Sequence, residues 1–255
     1  MILYEYPFSE KIRSFLRLEY LFQRLFFFHQ NFSVSPEGDE SLLGALFDVM
    51  DVCERGDARN TLLQELDKQK NTLQEYRNYP DINLSAIDSA LIDLNRVSRE
   101  LHDAGKIGRA ARECEWLAKI KNRYVVPGGL SSTEFPAYQA WLIGNQEQRQ
   151  RVIDQWVESF KPLSEGINRL LHFIRASRDP EYVTTPANGV YERSLGGQPF
   201  QLIRVWVPES SGVYPEISAN KYVTFVRLYQ LNEHLEASLV TKPTGFKIAF
   251  CNFNS

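Results

Sequence analysis

The 255-residue chain contains 43% hydrophobic and 24% charged residues, which is ordinary for a globular protein of one large or two medium domains. Its net charge of −3 argues against binding nucleic acid through bulk positive charge, and no uncharged run reaches the ~20 residues of a membrane span. The three cysteines form no C-x-x-C pair, and the N-terminus lacks the pattern of a signal peptide. These features favour reduced, buried thiols in a cytoplasmic protein without membrane insertion.

The first 120 or so residues have the apolar spacing of helices. Ser9 is predicted to cap the first helix and Ser85 the fourth, and Pro80 is predicted to end the third. Gly105 and Gly108 bracket a turn before the fifth helix. The helices are predicted over approximately residues 9–29, 39–54, 57–79, 85–104 and 109–122, with a loop over 33–38.

The pattern changes after residue 122. Tyr124–Val126, followed by Pro127-Gly128-Gly129, predicts a short strand and a turn, and Pro162 predicts a bend in a long helix. Asn188-Gly189 and Gly196-Gly197 are turn signals in a region that alternates as β-structure. The predicted helices cover Glu134–Ile143 and Gln146–Ser177, and the predicted strands cover Gln201–Val207, Tyr222–Tyr229 and Phe246–Phe253.

These elements predict an α+β protein, with an N-terminal helical bundle domain and a smaller antiparallel β-strand domain. We expect the strand at residues 124–126 to join the later sheet, so that both domains are discontinuous. The helical domain would comprise residues 1–122 and 146–178, and the β-strand domain residues 123–145 and 179–255.

The sequence contains no recognisable catalytic or metal-binding motif. None of the four histidines has a partner at a metal-ligand spacing, and no P-loop, nucleophile elbow or dinucleotide-binding glycine motif occurs. The sequence therefore predicts no metal, no cofactor and no enzyme. A hydrolase or transferase with a non-local site in the cleft between the domains stays open as an alternative.

The local distribution of charge indicates a binding surface. Up to Leu117 the chain has 14 basic and 20 acidic residues, whereas the remainder has 15 and 12. Two helical stripes place cations beside aromatic rings: Arg13, Arg17, Tyr20 and Arg24 in the first helix, and Arg109, Arg112, Trp116, Lys119 and Arg123 in the fifth. Such stripes suit an acidic, partly apolar peptide. They are also compatible with solvated charged faces or, less readily, with an RNA- or DNA-binding regulator.

Several short motifs resemble the ZapD family of bacterial cell-division proteins. The first is Cys53-Glu54-Arg55-Gly56, and the second is Val126-Pro127-Gly128-Gly129 with Trp141-Leu142 downstream. Asn188-Gly189 with Tyr191, and Tyr214-Pro215 with Ile217-Ser218, follow in the same order and near the same spacing as in the family.

The resemblance implies a non-enzymatic cytoplasmic adaptor at the division site. ZapD proteins bind the C-terminal tail of FtsZ, the tubulin-like division GTPase. They form a symmetric homodimer that crosslinks FtsZ filaments into bundles and promotes assembly of the Z-ring.

The resemblance also implies which residues bind the tail. Trp116 comes from the basic stripe alone, because it stands where the family pattern has an aliphatic residue. The residues that match basic positions of the family are Arg13, Arg17, Arg55, Arg112, Arg123, Lys221 and Arg227.

Overall fold

The computed structural model describes residues 1–31, 36–54, 56–79 and 83–253, with the side chains of 36–38 left out. The α+β class is confirmed: helices occupy the first part of the chain and antiparallel strands most of the last part. The chain divides into two compact units. We call Phe15–Leu170 the helical unit, and Met1–Ser14 together with Leu171–Ser255 the strand unit.

Several of the helices begin at side-chain caps. Asp57, Asn83 and Asn145 each accept a hydrogen bond from the backbone amide three residues later, which satisfies a donor that the helix leaves free. The helices are α1 (Glu10–Gln30), α2 (Pro36–Glu54), α3 (Ala58–Tyr76), α4 (Leu84–Asp103), α5 (Arg109–Arg112), α6 (Glu115–Tyr124), α7 (Pro136–Ile143), α8 (Gln146–Glu158) and α9 (Lys161–Ala176).

Two helix predictions were wrong because each joined two helices into one. The predicted fifth helix breaks at Cys114, whose ψ of 105° is extended, so α5 and α6 are separate helices. The predicted helix over 146–177 is interrupted at residues 159–160 and forms α8 and α9, close to the bend predicted at Pro162, which lies in the first turn of α9. Proline is tolerated there because the first-turn amides have no partner within the helix.

The predicted strand at Tyr124–Val126 was also wrong. Helix α6 continues to Tyr124, and the amide of Val126 then bonds to the carbonyl of Arg123 in a turn. A Cβ on Gly129 would lie 2.2 Å from the carbonyl oxygen of Arg123, so the turn requires glycine. Residues 123–145 contain no strand and fall in the helical unit.

The strand unit contains two antiparallel sheets. One has the order β1-β4-β8-β2 and the other β3-β6-β5, with β7 paired to β6. The strands are β1 (Ile2–Pro7), β2 (Glu181–Thr184), β3 (Val190–Ser194), β4 (Leu202–Val207), β5 (Val213–Ala219), β6 (Val223–Leu231), β7 (Ala237–Leu239) and β8 (Gly245–Cys251).

The predicted alternation in β4 is confirmed. Ile203, Val205 and Val207 belong to the hydrophobic core of the strand unit, whereas Arg204 points to the other face and bonds to Glu5. The turn at Asn188-Gly189 exists, but the strands on either side of it belong to different sheets, so it does not close a hairpin.

Candidate functional site

Two of the predicted site residues, Arg13 and Lys221, line the same cleft in the strand unit. The cleft has a volume of about 380 Å³ and lies where β1 leads into α1, beside the β5–β6 turn. We call it the basic cleft and define it by Phe8, Glu10, Arg13, Pro199, Phe200 and Lys221.

The first turn of α1 positions Arg13. The hydroxyl of Ser9 accepts a hydrogen bond from the Ile12 amide, as expected for the predicted N-cap. Arg13 Nε donates to Glu10 Oε1 at 3.0 Å, and both side chains are well exposed. No other acceptor contacts the Arg13 guanidinium within the described part of the chain, so its terminal nitrogens can bind a ligand.

The β5–β6 turn positions Lys221. The side-chain oxygen of Asn220 accepts hydrogen bonds from the amides of Tyr222 and Val223, at 2.8 and 3.1 Å, which fixes the turn. Lys221 is exposed, and its Nζ lies 4.8 Å from the centroid of the Tyr222 ring. The ammonium group therefore stands in solvent at the edge of the cleft.

Aromatic side chains form the apolar part of the basic cleft. Phe8 lies edge-on to Tyr6, with ring centroids 6.1 Å apart, and 6.3 Å from the Phe200 centroid. The Tyr6 hydroxyl donates to the Ala219 carbonyl, so this polar group has a partner inside the unit. Two cations beside half-buried rings can bind a carboxylate and an adjoining apolar side chain at once.

The sequence did not single out Phe8, Pro199 or Phe200. The sequence did predict the turn at Gly196-Gly197 that precedes Pro199 and Phe200, and both glycines have positive φ. The loop that this turn begins carries Pro199 and Phe200 to the cleft. Phe8 follows β1, a strand that the sequence analysis did not predict.

Arg227 is half-buried on β6 and is absent from the lining of the basic cleft. Its Nη1 lies 3.5 Å from Glu216 Oε1, and its guanidinium is over the Phe225 ring at 5.6 Å. Arg227 thus has internal partners on the sheet, and a ligand would compete with Glu216 for it.

The remaining predicted residues belong to the helical unit, apart from Arg55, which lies outside the described residues. Arg17 on α1 and Arg123 on α6 are exposed. Arg112 is half-buried beside Cys53 in a separate cleft of about 400 Å³, and its Nε has no partner among the described residues. Burial raises the pKa of the Cys53 thiol to about 11, although Arg112 acts in the opposite direction.

Trp116 belongs to an aromatic cluster inside the helical unit. Its ring lies 5.4 Å from Phe135 and 6.4 Å from Trp141, and its Nε1 is buried. Because of the break at Cys114, Trp116 does not extend a continuous stripe from Arg112. The expected single basic stripe on one helix was therefore wrong.

Comparison with known proteins identifies the family. A sequence model described as "ZapD: Cell division protein" matches residues 16–227, which is most of the chain. The chain belongs to the ZapD family. Membership in the ZapD family gives the chain a role in cell division.

Curated members of the ZapD family match over nearly their whole length. The proteins of Ralstonia pickettii and Bordetella pertussis are 39% and 38% identical to this chain, over 255 and 256 residues. These alignments cover 99% of this chain and 100% and 98% of the relatives, and the Azoarcus protein is 36% identical over 252 residues. All three are named cell division protein ZapD.

Two further observations concern the described residues of this ZapD-family chain. They include no group of three or more His, Cys, Asp or Glu side chains placed to hold a metal ion. None of their helices combines the length and the apolar composition that crossing a bilayer requires.

Proposed function

We propose that this protein is a non-enzymatic cytoplasmic adaptor at the division site that binds the C-terminal tail of FtsZ. As a homodimer it presents two tail sites, crosslinks FtsZ filaments and promotes Z-ring assembly. The observation that carries the proposal is the basic cleft, where Arg13 and Lys221 stand beside aromatic rings in a ZapD-family chain.

The chemistry of the basic cleft supports a peptide ligand that is both acidic and apolar. The guanidinium of Arg13 offers terminal N–H groups for a carboxylate, and Lys221 adds a second positive charge. Phe8 and Phe200 supply surface for an aliphatic side chain. An exposed site of this size suits micromolar affinity, a binding free energy of about −8 kcal/mol. Binding through both protomers of a dimer strengthens the overall attachment to filaments.

The other predicted contacts are retained as part of the proposal. Arg17, Arg55, Arg112, Arg123 and Arg227 would add positive charge outside the basic cleft. For Trp116 we propose an indirect role, because its ring packs within the aromatic cluster of the helical unit.

Co-sedimentation with FtsZ filaments tests the tail as the target. The wild-type protein should pellet with intact FtsZ and stay in the supernatant with FtsZ that lacks its C-terminal tail. Binding should also weaken as salt rises, because the cations of the cleft are exposed. Equal pelleting with both forms of FtsZ would refute the tail as the binding site.

Paired substitutions test the cleft. Arg13→Ala with Lys221→Ala should weaken tail binding about tenfold or more, because both cations are lost. Lys242→Ala is the matched control, since Lys242 is exposed in the same unit and lines neither the basic cleft nor a second cleft of about 490 Å³ beside it. Tail affinity that is the same in the double variant and the control would refute the basic cleft as the site.

A further inference from the structure

A second cleft, of about 490 Å³, adjoins the basic cleft in the strand unit. The two clefts share the segment Gln198–Phe200 as a common wall. We call the second one the mixed cleft and define it by Arg178, Asp179, Glu181, Arg193, Phe200 and Phe250.

Aromatic rings connect the two clefts. The row runs from Tyr6 through Phe8 and Phe200 to Phe250, with centroid separations of 6.1, 6.3 and 5.4 Å. The guanidinium of Arg193 lies over the last ring at 4.7 Å. The row therefore spans at most about 18 Å from end to end, which corresponds to no more than about five residues of extended peptide.

The two clefts differ in charge. The basic cleft has two cations against the single carboxylate of Glu10. In the mixed cleft, Arg178 and Arg193 are balanced by Asp179 and Glu181. The basic cleft therefore favours carboxylates, whereas the mixed cleft offers both donors and acceptors, as the backbone and polar side chains of a peptide require.

Arg178 is the cation of the mixed cleft that is available to a ligand. Arg193 is held by its ion pair with Glu181 and by the Phe250 ring. Arg178 is exposed, and no acceptor contacts its side chain within the residues that the structure describes.

We propose that the two clefts form one continuous groove for an extended peptide, with Arg178 as a contact at the end away from Arg13. The carboxylates of the peptide lie in the basic cleft, its apolar side chains on the half-buried rings of Phe8 and Phe200, and its polar end in the mixed cleft. This inference rests on the proposed function, because the peptide is the FtsZ tail. Three carboxylates line the groove, which disfavours a nucleic acid backbone.

Fluorescence anisotropy with a labelled synthetic FtsZ tail peptide and the full-length protein tests the groove. Arg178→Ala should weaken binding about three- to tenfold, and Phe200→Leu about threefold, since each removes part of the contact. Lys242→Ala should bind within about twofold of the wild type. Circular dichroism of each variant checks that the fold is kept.

A shortened peptide locates the end of the groove. Removing about two residues from the end that contacts the mixed cleft should weaken binding to the wild type and abolish the effect of Arg178→Ala. If Arg178→Ala and Phe200→Leu bind like the wild type while the Arg13 and Lys221 double variant does not, the groove is refuted and the proposed function stands. If the double variant also binds the peptide normally, the groove and the basic cleft are both refuted as the site, whereas tail binding itself is refuted only by equal pelleting with intact and tail-less FtsZ.

Discussion

A buried polar cluster in the helical unit should make the free energy of unfolding of the protein depend on pH. Asp39 in the first turns of α2 is 2% exposed, and Arg149 on α8 is 3% exposed. The Nε of Arg149 lies 3.5 Å from Asp39 Oδ2, while Arg149 Nη1 donates to carbonyls at the end of α7. Tyr138 is fully buried nearby. Burial raises the pKa of Asp39 from 3.8 to about 6, because desolvation outweighs the attraction of Arg149.

The sign of the effect follows from the raised pKa. Protonated Asp39 adds stability that is fully present below pH 3.8 and is lost as the pH rises through about 6. Asp39→Asn keeps an acceptor for Arg149 and cannot ionise. Relative to the wild type, the variant should therefore gain on the order of 1 kcal/mol in its free energy of unfolding between about pH 5 and about pH 8.

Urea unfolding at both pH values measures this difference. Asp67→Asn is the matched control, because Asp67 is 63% exposed in the same unit. The difference in free energy of unfolding between this variant and the wild type should change by less than about 0.3 kcal/mol over that pH range. An Asp39→Asn effect that is equal at the two pH values would refute the reasoning. It would mean that the pair with Arg149 offsets the cost of burying the carboxylate.

Two further predictions concern close packing. Gly108→Ala should destabilise the protein by about 1–3 kcal/mol more than Gly105→Ala in urea unfolding. Both glycines have positive φ, but only at Gly108 would the new Cβ meet a neighbour, Phe160 Cζ at 2.3 Å; equal losses would contradict the clash. A thiol reagent at about pH 8 should label only Cys114 rapidly in the folded protein, because burial raises the pKa of the other two thiols to about 11. Rapid labelling of two or three thiols would contradict their burial.

Local patterns predicted the helices that bury one regular face. In α4 the apolar residues at three- and four-residue spacing are the buried ones, so the predicted stripe is confirmed, although the cap is Asn83 and not Ser85. The strand predicted at Tyr124–Val126 failed because its apolar residues are exposed at the end of a helix and in a turn. A run of three residues has too little periodicity to separate these cases.

The missed strand β1 shows what local patterns cannot reveal. Its partner is β4, with Ile2 opposite Val207 and Pro7 opposite Leu202, about 200 residues along the chain. Such pairing depends on residues that are distant in sequence. The same limit applies to the basic cleft: the family resemblance supplied Arg13 and Lys221, but the rings beside them come from segments that only the fold brings together.

Backbone hydrogen bonds account for the position of the cleft residues. The Phe8 amide bonds to the Gln201 carbonyl at 3.1 Å and extends the β1–β4 ladder to two residues before α1 begins. The Leu195 amide bonds to the Tyr222 carbonyl at 2.6 Å and ties the loop between β3 and β4 to the β5–β6 turn. The backbones that carry the two cations and the rings are therefore fixed by main-chain contacts, which side-chain substitution leaves intact. A loss of tail binding on removing Arg13 or Lys221 would consequently report a lost contact with the ligand and not a displaced scaffold.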